Sequence, residues 1–304
     1  MIPVRVHSGN CPVKHNSSWP GIREAERVLA LLFVLGLSAA IVPHVGGQDT
    51  AQFPPSTAWR ELTTPYAKVV YDASIEMDAR RVGGLIDYIY EPTSNTLQSG
   101  SARIPVLLGA GATAVGFVSL TPRRTEWGSR PFFPGSRPGL GTGEWYELLA
   151  VHEYRHVVQI RTMNRGFSRL MRLAFGNLGL AVSTNLAVPG WYWEGDAVVE
   201  ETAFTRSGRG RMPSFDLHVR ALLSEGRTYS YPKAMFRTYK DYYPNRYVLG
   251  YLLTSYVKKT YGPHAWKRIV TRANDLAFLP LSFNLAVKSV TDRSMRRLYD
   301  DAMT

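Results

Sequence analysis

The chain of 304 residues carries 36 Lys and Arg against 24 Asp and Glu, which gives a formal net charge of +12, and 45% of its residues are hydrophobic. This length and hydrophobic content exclude a disordered or fibrous protein and predict a packed core. The excess positive charge favours anionic partners such as a membrane surface or an anionic envelope polymer. We expect no nucleic acid partner, because neither a zinc-finger spacing nor an aromatic and basic ribonucleoprotein motif is present. The densest basic run, residues 206–211, is typical of a solvated loop.

The first 47 residues predict an export signal. Lys14, Arg23 and Arg27 precede an uncharged apolar segment, residues 28–42, and the residues at 45–47 or at 38–40 could fit a signal-peptidase site. This order is typical of a signal peptide, and the apolar segment is short for a spanning helix, which needs about 20 residues. We therefore expect an exported protein that is periplasmic, on the cell surface or secreted. An uncleaved membrane anchor at 28–42 is the alternative.

The only cysteine, Cys11, precedes the apolar segment. The exported part would then contain no cysteine, which excludes disulfides, thiolate metal ligands and a cysteine nucleophile. Any metal in the exported part must therefore be bound by nitrogen and oxygen atoms.

Residues 48–65 are predicted to form a linker that contains Pro, Ser and Thr, and one domain is expected over residues 66–304. The front of this domain should contain a helix at 74–90 and strands at 67–71, 104–108 and 115–120. The glycines at 109–114 imitate a dinucleotide-binding fingerprint, but a strand rather than a helix follows them, so we interpret them as a turn. A loop rich in Gly, Pro and Arg, residues 121–143, leads to the remainder of the chain.

The part of the chain after residue 143 is predicted to be mainly helical. Helices are expected at 144–163, 165–180, 191–201, 215–223, 246–262, 263–274 and 294–303, with Ser214 as a cap and an aromatic-rich loop at 229–239. No internal repeat or charged linker interrupts residues 66–304. The predicted fold class is therefore α+β, with a small N-terminal sheet and a mostly helical C-terminal lobe.

The helix expected at 144–163 contains the sequence His152-Glu153-x-x-His156. Positions four apart lie on one face of a helix, so both imidazoles can point at one Zn²⁺ ion. Glu153 would lie beside that metal without binding it, which is where a general base belongs in metal-assisted hydrolysis. The alternative is a chance match on a buried helix, with each imidazole hydrogen-bonded to the backbone.

A second group of polar residues follows in the helix expected at 191–201. Glu194 and Glu201 are seven residues apart and therefore lie on the same face of that helix. Apolar and aromatic residues surround Glu194 in the sequence, and a carboxylate in such a setting needs a partner. A metal ion shared with His152 and His156 would supply that partner.

Together, the two groups resemble the motifs of the gluzincin zinc metallopeptidases. The matching pattern is His152-Glu153-x-x-His156 followed by Trp191-x-x-Glu194-Gly195-x-Ala197-x-x-x-Glu201. The resemblance implies a thermolysin-like zincin fold in which His152, His156 and Glu194 bind Zn²⁺ with the fourth position open to water. It also implies that Glu153 is the general base in zinc-dependent hydrolysis of a peptide or protein substrate.

Two further roles are implied. Tyr247-x-x-Gly250 is similar to the tyrosine-x-x-glycine of the aminopeptidase N-like branch, where the tyrosine steadies the oxyanion. Tyr247 is therefore expected to be catalytic, with Tyr243 or Tyr251 as alternatives. Glu201 is expected to orient one of the histidines from outside the ligand set.

The sequence departs from the family in several respects. The Gly-x-Met-Glu-Asn motif with which the aminopeptidase branch binds the substrate's amino group is not found, and Val198 stands where the thermolysin branch has an aspartate. The separation of His156 and Glu194 is longer than in either branch. Residues 68–126 resemble bacterial envelope proteins in which such a domain precedes a β-propeller, and no propeller sequence follows here. Substrate identity and the choice between endopeptidase and exopeptidase action therefore stay open.

Two functions of other kinds compete with a peptidase. A catalytically inactive binding module of the envelope could keep zinc for stability, although it would have no need of Glu153. A basic exported protein could also bind anions without any metal.

Overall fold

The computed structural model of the chain describes residues 53–100, 103–110, 116–120, 123–128, 144–237, 240–241 and 243–304. All of these lie in one compact unit, Gly46–Thr304. The expectations for the export signal, the anchor and the start of the linker concern residues outside this set, as do those for most of the glycine turn and of the loop at 121–143. Within the described ranges, no helix is both long enough and apolar enough to cross a membrane.

A mixed sheet forms the front of the domain. Its strands, numbered in chain order, are β1 (Trp59–Thr63), β2 (Ala67–Asp72), β3 (Ile104–Gly109), β4 (Gly116–Leu120) and β5 (Arg123–Gly128). They are arranged in the order β1-β2-β3-β5-β4. Strands β2, β3 and β5 are parallel, and the outer strands β1 and β4 are antiparallel to their neighbours. Alternate residues of β2 are buried, so one face of the sheet packs against the core.

Strands β2, β3 and β4 match the predicted strands, whereas β1 and β5 lie in segments predicted to be a linker and a loop. The sequence of β5 is mostly polar and charged, which is why its pattern does not indicate a strand. It becomes a strand because its backbone pairs with β3 on one side and β4 on the other, and because Trp127 is buried. Long-range pairing has therefore overridden the local pattern.

Ten helices lie in the described residues. They are α1 (Glu76–Asn95), α2 (Trp145–Met163), α3 (Gly166–Ala187), α4 (Gly190–Phe204), α5 (Leu217–Ser224), α6 (Tyr231–Phe236), α7 (Arg246–Tyr261), α8 (Ala265–Asp275), α9 (Ser282–Thr291) and α10 (Met295–Met303). The side chains of Glu144, Asn245 and Ser294 cap α2, α7 and α10, which explains where these helices begin. A front sheet followed by helices is a mixed α and β architecture, which is compatible with the predicted α+β class.

Helix α3 differs most from its prediction. Gly176 and Gly179 predict its end near residue 180, but the helix continues to Ala187. The glycines produce a kink instead, because Phe175 and Gly176 leave helical geometry. Gly176 has φ 63° and ψ −150°, a conformation that is essentially restricted to glycine.

Three smaller differences lie in the C-terminal part. Helix α5 begins at Leu217 without the predicted cap from Ser214, and the short helix α6 occupies part of the predicted aromatic loop. Helix α9 is not among the helices predicted from periodicity. It begins after Leu281, which has a left-handed conformation with φ 62° and forms no side-chain cap, so no capping signal marks its start.

Helix α2 lies at the centre of the domain. It packs against α1 and α4 and also contacts β4 and α8. Its residues are therefore buried on most faces, as its apolar composition predicts. The polar side chains of α2 can reach only the neighbouring elements, and several of them meet polar groups from α4.

Candidate metal centre

Three side chains from α2 and α4 converge at one point. His152 and His156 lie one turn apart on α2, and Glu194 lies near the start of α4. Oε2 of Glu194 is 3.4 Å from Nε2 of His152 and 3.6 Å from Nε2 of His156. One ligand atom from each residue lies within 4.8 Å of the other two. The structure therefore brings the three predicted metal ligands together.

The spacing and chemistry of these atoms suit a zinc ion. Zinc binds imidazole nitrogen and carboxylate oxygen at about 2.0–2.1 Å, so the ligand atoms of a tetrahedral site are roughly 3.3 Å apart. The separations of 3.4 Å and 3.6 Å are close to that value. Oε2 of Glu194 is also buried without a hydrogen-bond partner among the described residues. A buried carboxylate oxygen in that state is stabilised by a cation.

The pKa values of the candidate ligand residues also favour a positive charge between them. Burial raises the pKa of Glu194, but its interactions with His152 and His156 more than offset this, and the pKa lies well below its usual range. Burial and the charge of Arg209 lower the pKa of His152, but the interactions with the carboxylates of Glu194 and Glu201 outweigh them and raise it to about 9. Oε1 of ionised Glu194 pairs with Arg246, whereas its Oε2 faces the two histidines, where either an added proton on His152 or a metal ion that replaces it would balance the charge.

Glu153 lies on the same turn of α2 and faces the start of β4. Its side chain is buried, and its Oε2 has no hydrogen-bond partner in the described part of the chain. A Cβ atom on Gly116, the first residue of β4, would collide with Leu149 and lie 3.2 Å from Oε1 of Glu153, so glycine keeps this space open. Burial raises the pKa of Glu153, while the charges of His152 and His156 lower it, and the net pKa is raised.

Glu201 and Arg209 hold the first histidine. Oε2 of Glu201 lies 3.0 Å from Nδ1 of His152. Arg209 donates to Glu201 from its backbone at 3.0 Å and from its guanidinium at 2.6 Å. The guanidinium also approaches Nδ1 to 2.8 Å, but Glu201 is its better acceptor. With Nδ1–H donated to Glu201, Nε2 is the ring nitrogen of His152 that would give up its proton when a metal binds.

Gln159 holds the second histidine. Its Oε1 lies 2.9 Å from Nδ1 of His156, which is three residues earlier on α2. Its Nε2 donates to Asp196 at 2.9 Å and to the backbone carbonyl of Trp193 at 3.0 Å. The amide is fully buried. Because both acceptors need an N–H donor, they fix Nε2 on their side and leave Oε1 facing Nδ1 of His156.

A buried ionic network behind the metal centre joins α2, α4 and α7. Arg155 and Asp196 are fully buried and pair through two hydrogen bonds of 2.6 Å and 3.0 Å. Lys258 of α7 lies 3.3 Å from Asp196 and 2.5 Å from Glu200, and Arg155 lies 3.4 Å from Glu200. Burial raises the pKa of Asp196, but the charges of Arg155 and Lys258 reverse this and lower it below its usual range. Two cations and two carboxylates therefore neutralise one another inside the domain.

Tyr247 lies beside the metal centre because α7 packs on α4 with direct backbone contact. A Cβ atom on Gly250 would lie 1.9 Å from the carbonyl oxygen of Trp191, and one on Gly195 would lie 2.0 Å from the backbone of Gly250. The two glycines therefore allow the helices to touch. One turn before Gly250, the Tyr247 ring lies 6.3 Å from the ring of His152.

The two alternative tyrosines make other contacts. The ring of Tyr251 packs against Gly210 and Phe215, and that of Tyr243 against Tyr229. Among the described ring contacts of these three tyrosines, only that of Tyr247 involves a metal ligand.

Two arginines flank Tyr247. The guanidinium carbons of Arg209 and Arg246 lie 4.7 Å and 5.3 Å from the centre of its ring. Arg246 also pairs with Oε1 of Glu194 at 3.0 Å, and its side chain is 57% exposed. Oε1 of Glu194 thus has a partner while its Oε2 faces the two histidines, and a cation lies at the rim of the site.

The sequence alone does not identify most of the supporting residues. The prediction of a solvated loop at 206–211 is wrong for Arg209, whose side chain is largely buried against Glu201. A signal for Gln159 is present, because it lies three residues after His156 and on the same helical face. For Arg155, the signal is a charged residue inside an apolar helix. Such a residue needs a partner of opposite charge, but the sequence does not identify which residue that is.

No family model matches the chain, and no curated protein shows significant similarity to it. A functional assignment therefore depends on the chemistry of the site itself.

Proposed function

We propose that this protein is a zinc metallopeptidase that hydrolyses peptides or proteins. The observation that carries the proposal is the position of Glu153, a buried carboxylate with an unpartnered oxygen, within the described residues, beside three convergent metal ligands. A purely structural metal site has no use for such a carboxylate, whose desolvation costs stability. The resemblance of the two motifs to gluzincins supports the same function and a thermolysin-like zincin arrangement.

His152, His156 and Glu194 would hold the metal. When bound, Zn²⁺ supplies Lewis-acid polarisation of the scissile carbonyl and lowers the pKa of water at its open position. Glu201 and Gln159 hold Nδ1 of the two imidazoles, so both Nε2 atoms are directed to the ligand point in advance.

Glu153 would act first as a proton acceptor and then as a donor. It takes a proton from the attacking water and later delivers it to the leaving amine, which suits a carboxylate whose pKa burial has raised. Tyr247 would donate its O–H to the developing oxyanion. Burial raises the pKa of Tyr247, so the hydroxyl keeps the proton that this role requires.

The edge strand β4 is suited to hold an extended peptide. Within the described sheet, β4 is the last strand in the order and pairs with β5. Gly116 brings the start of β4 next to Glu153. A substrate that added to this edge as a further strand would carry its scissile bond past the base.

The proposed location is the cell envelope or the exterior of the cell. This location is proposed from the signal-like order of residues 1–47. Fusion of residues 1–47 to a reporter enzyme that is active only after export tests this directly.

Metal content and hydrolysis in matched variants test the activity. The purified protein should contain stoichiometric zinc, and Glu194→Ala should lose it. Glu153→Gln should keep the zinc but lose hydrolysis of casein or a fluorogenic peptide by roughly 10²- to 10⁴-fold, the usual contribution of general acid–base catalysis. Glu91→Gln, at an exposed glutamate on α1, is the control and should change neither property.

Two outcomes would contradict the proposal. Absence of zinc from the wild-type protein would refute a zinc site of any kind. Zinc binding without any hydrolysis that depends on Glu153 would instead support the alternative function, a catalytically inactive zinc-stabilised binding module of the envelope.

A further inference from the structure

The kinked helix α3 presents a surface that is both apolar and basic. The kink at Gly176 divides the helix, and the residues on either side of it are largely exposed. We call the exposed apolar and basic residues around the kink the α3 tip; they are Arg169, Leu170, Arg172, Leu173, Phe175 and Leu178. None of them takes part in the metal centre.

The apolar side chains of the α3 tip are strongly exposed, with Leu173 at 75%. The turn between α8 and α9 lies next to the base of α3, because the rings of Phe167 and Phe278 are 5.7 Å apart. That turn and the start of α9 expose further large apolar side chains, at Phe278, Leu279, Leu281 and Leu285. Extended exposed apolar surfaces of this kind mark sites of contact with a protein or a membrane.

The charge around the α3 tip is positive. Residues 154–193 contain no Asp or Glu. Arg169 and Arg172 are exposed and form no ion pair within the described part of the chain. Burial and the nearby charges of Arg161 and Arg172 lower the pKa of Arg123 at the start of β5, so like charges are gathered beside the tip. Such a grouping attracts an anionic surface.

We propose that the α3 tip inserts into the surface of an anionic phospholipid bilayer. Its Leu and Phe side chains would enter the boundary of the acyl region, and Arg169 and Arg172 would contact lipid phosphates, as in interfacial helices. A symmetric contact with a second copy would oppose these arginines to their equivalents, so charge favours the bilayer as the occupant. Membrane contact of this kind needs no spanning helix and is independent of the peptidase activity.

Docking through the α3 tip would also position the metal centre. Helix α3 connects α2 to α4, and these two helices carry the three candidate ligands. The proposed site would therefore be held near the bilayer surface.

A label at the α3 tip tests insertion directly and separates it from membrane binding by residues 1–47. In the full chain with Cys11→Ser, an environment-sensitive fluorophore at Leu173→Cys should shift to shorter wavelength with vesicles of equal parts phosphatidylglycerol and phosphatidylcholine. Brominated lipid should quench it. The same label at Phe236→Cys on α6, where the native side chain is 76% exposed, should not respond. Vesicles of phosphatidylcholine alone should give a much weaker response at position 173, because they lack net charge.

A second comparison tests the arginines. Arg169→Gln combined with Arg172→Gln should weaken binding to the anionic vesicles about 30-fold, because each basic residue near such a surface contributes ~1 kcal/mol. Arg296→Gln combined with Arg297→Gln removes the same charge from exposed positions on α10 and should have little effect. Vesicle sedimentation measures both.

Three results would overturn the proposal. A label at position 173 that stays in water while the chain binds vesicles would assign binding to another part of the chain. An equal loss of vesicle binding in the Arg169/Arg172 and Arg296/Arg297 double variants would show nonspecific charge attraction without a docking surface. Self-association in lipid-free buffer that Leu173→Ser abolishes would assign the α3 tip to a contact between two copies.

Discussion

The two histidines of the metal centre are held in the same way by different residues. Nδ1 of His152 contacts Glu201, which comes from α4, and Nδ1 of His156 contacts Gln159, which comes from α2 itself. Nε2 of each ring faces Glu194. The orientation of both rings is therefore set before a metal binds, which lowers the entropic cost of binding.

Replacement of Gln159 by Met should weaken zinc binding by about 10- to 100-fold, because His156 loses its holder while the side-chain volume is nearly retained. Competition with a chromogenic chelator measures this affinity. Asn274→Leu is the control, since Asn274 is another fully buried amide and is bonded to Ser168. It should lower the melting temperature without changing the zinc affinity. Wild-type affinity in Gln159→Met would show that Gln159 does not hold the histidine.

The contact between α4 and α7 explains why a glycine, Gly250, lies three residues after Tyr247. The tyrosine reaches the metal centre only if the two helix backbones touch, and each helix supplies one glycine at the point of contact. The resemblance to a tyrosine-x-x-glycine motif predicts the pair of residues. The packing of the helices supplies the physical reason for the glycine.

Gly250→Ala should destabilise the fold by about 1–3 kcal/mol or more and weaken zinc binding. Its methyl group would lie 1.9 Å from the backbone carbonyl of Trp191, which belongs to a helix and cannot move aside alone. Gly84→Ala on α1 is the matched control. Nothing lies within 4 Å of its Cβ position, so it should be neutral or stabilise the helix by up to about 1 kcal/mol. Urea unfolding measures both, and equal stabilities would refute the backbone contact.

For the molecule as a whole, the buried network of Arg155, Asp196, Glu200 and Lys258 determines how the helices around the metal centre fit together. It links α2, which carries both histidines, to α4, which carries Glu194, and to α7. Buried charges of this kind are costly unless all of them are paired. The network therefore favours one relative placement of the three helices over others.

Arg155→Met should cost roughly 3–5 kcal/mol of unfolding free energy, because Asp196 and Glu200 would then share one remaining cation, Lys258. Arg155→Met combined with Asp196→Leu should lower the free energy of unfolding by less than the sum of the two single changes. Each single variant leaves one buried charge without its partner, whereas the double variant removes both charges. Thermal and urea unfolding of the four proteins in the cycle measures the coupling. Arg80→Met, at an exposed pair with Glu76, should change stability little. Additive costs at the buried pair would contradict the coupling.

Local sequence patterns predict an element correctly when its periodicity and caps lie within its own segment. The periodicity of α2 and α7 and the cap of Asn245 are local signals, and both helices lie close to where they are predicted. Strand β5 and the continuation of α3 past Gly176 are not local. The first depends on backbone pairing with two strands, and the second on a glycine conformation that permits a kink where the pattern indicates an end.

The candidate ligands His152, His156 and Glu194 and the candidate base Glu153 are all predicted from sequence motifs. Helical spacing places the two histidines on one face of α2, and the resemblance to gluzincin motifs adds the roles of Glu194 and Glu153. The residues that surround these groups are set by the packing of the helices. Arg209 reaches Glu201 from a turn that the pattern predicts to be solvated, and buried charges of α2 find their partners on other helices. Those partnerships join residues far apart in the chain, and they depend on how whole helices pack, which no local spacing encodes.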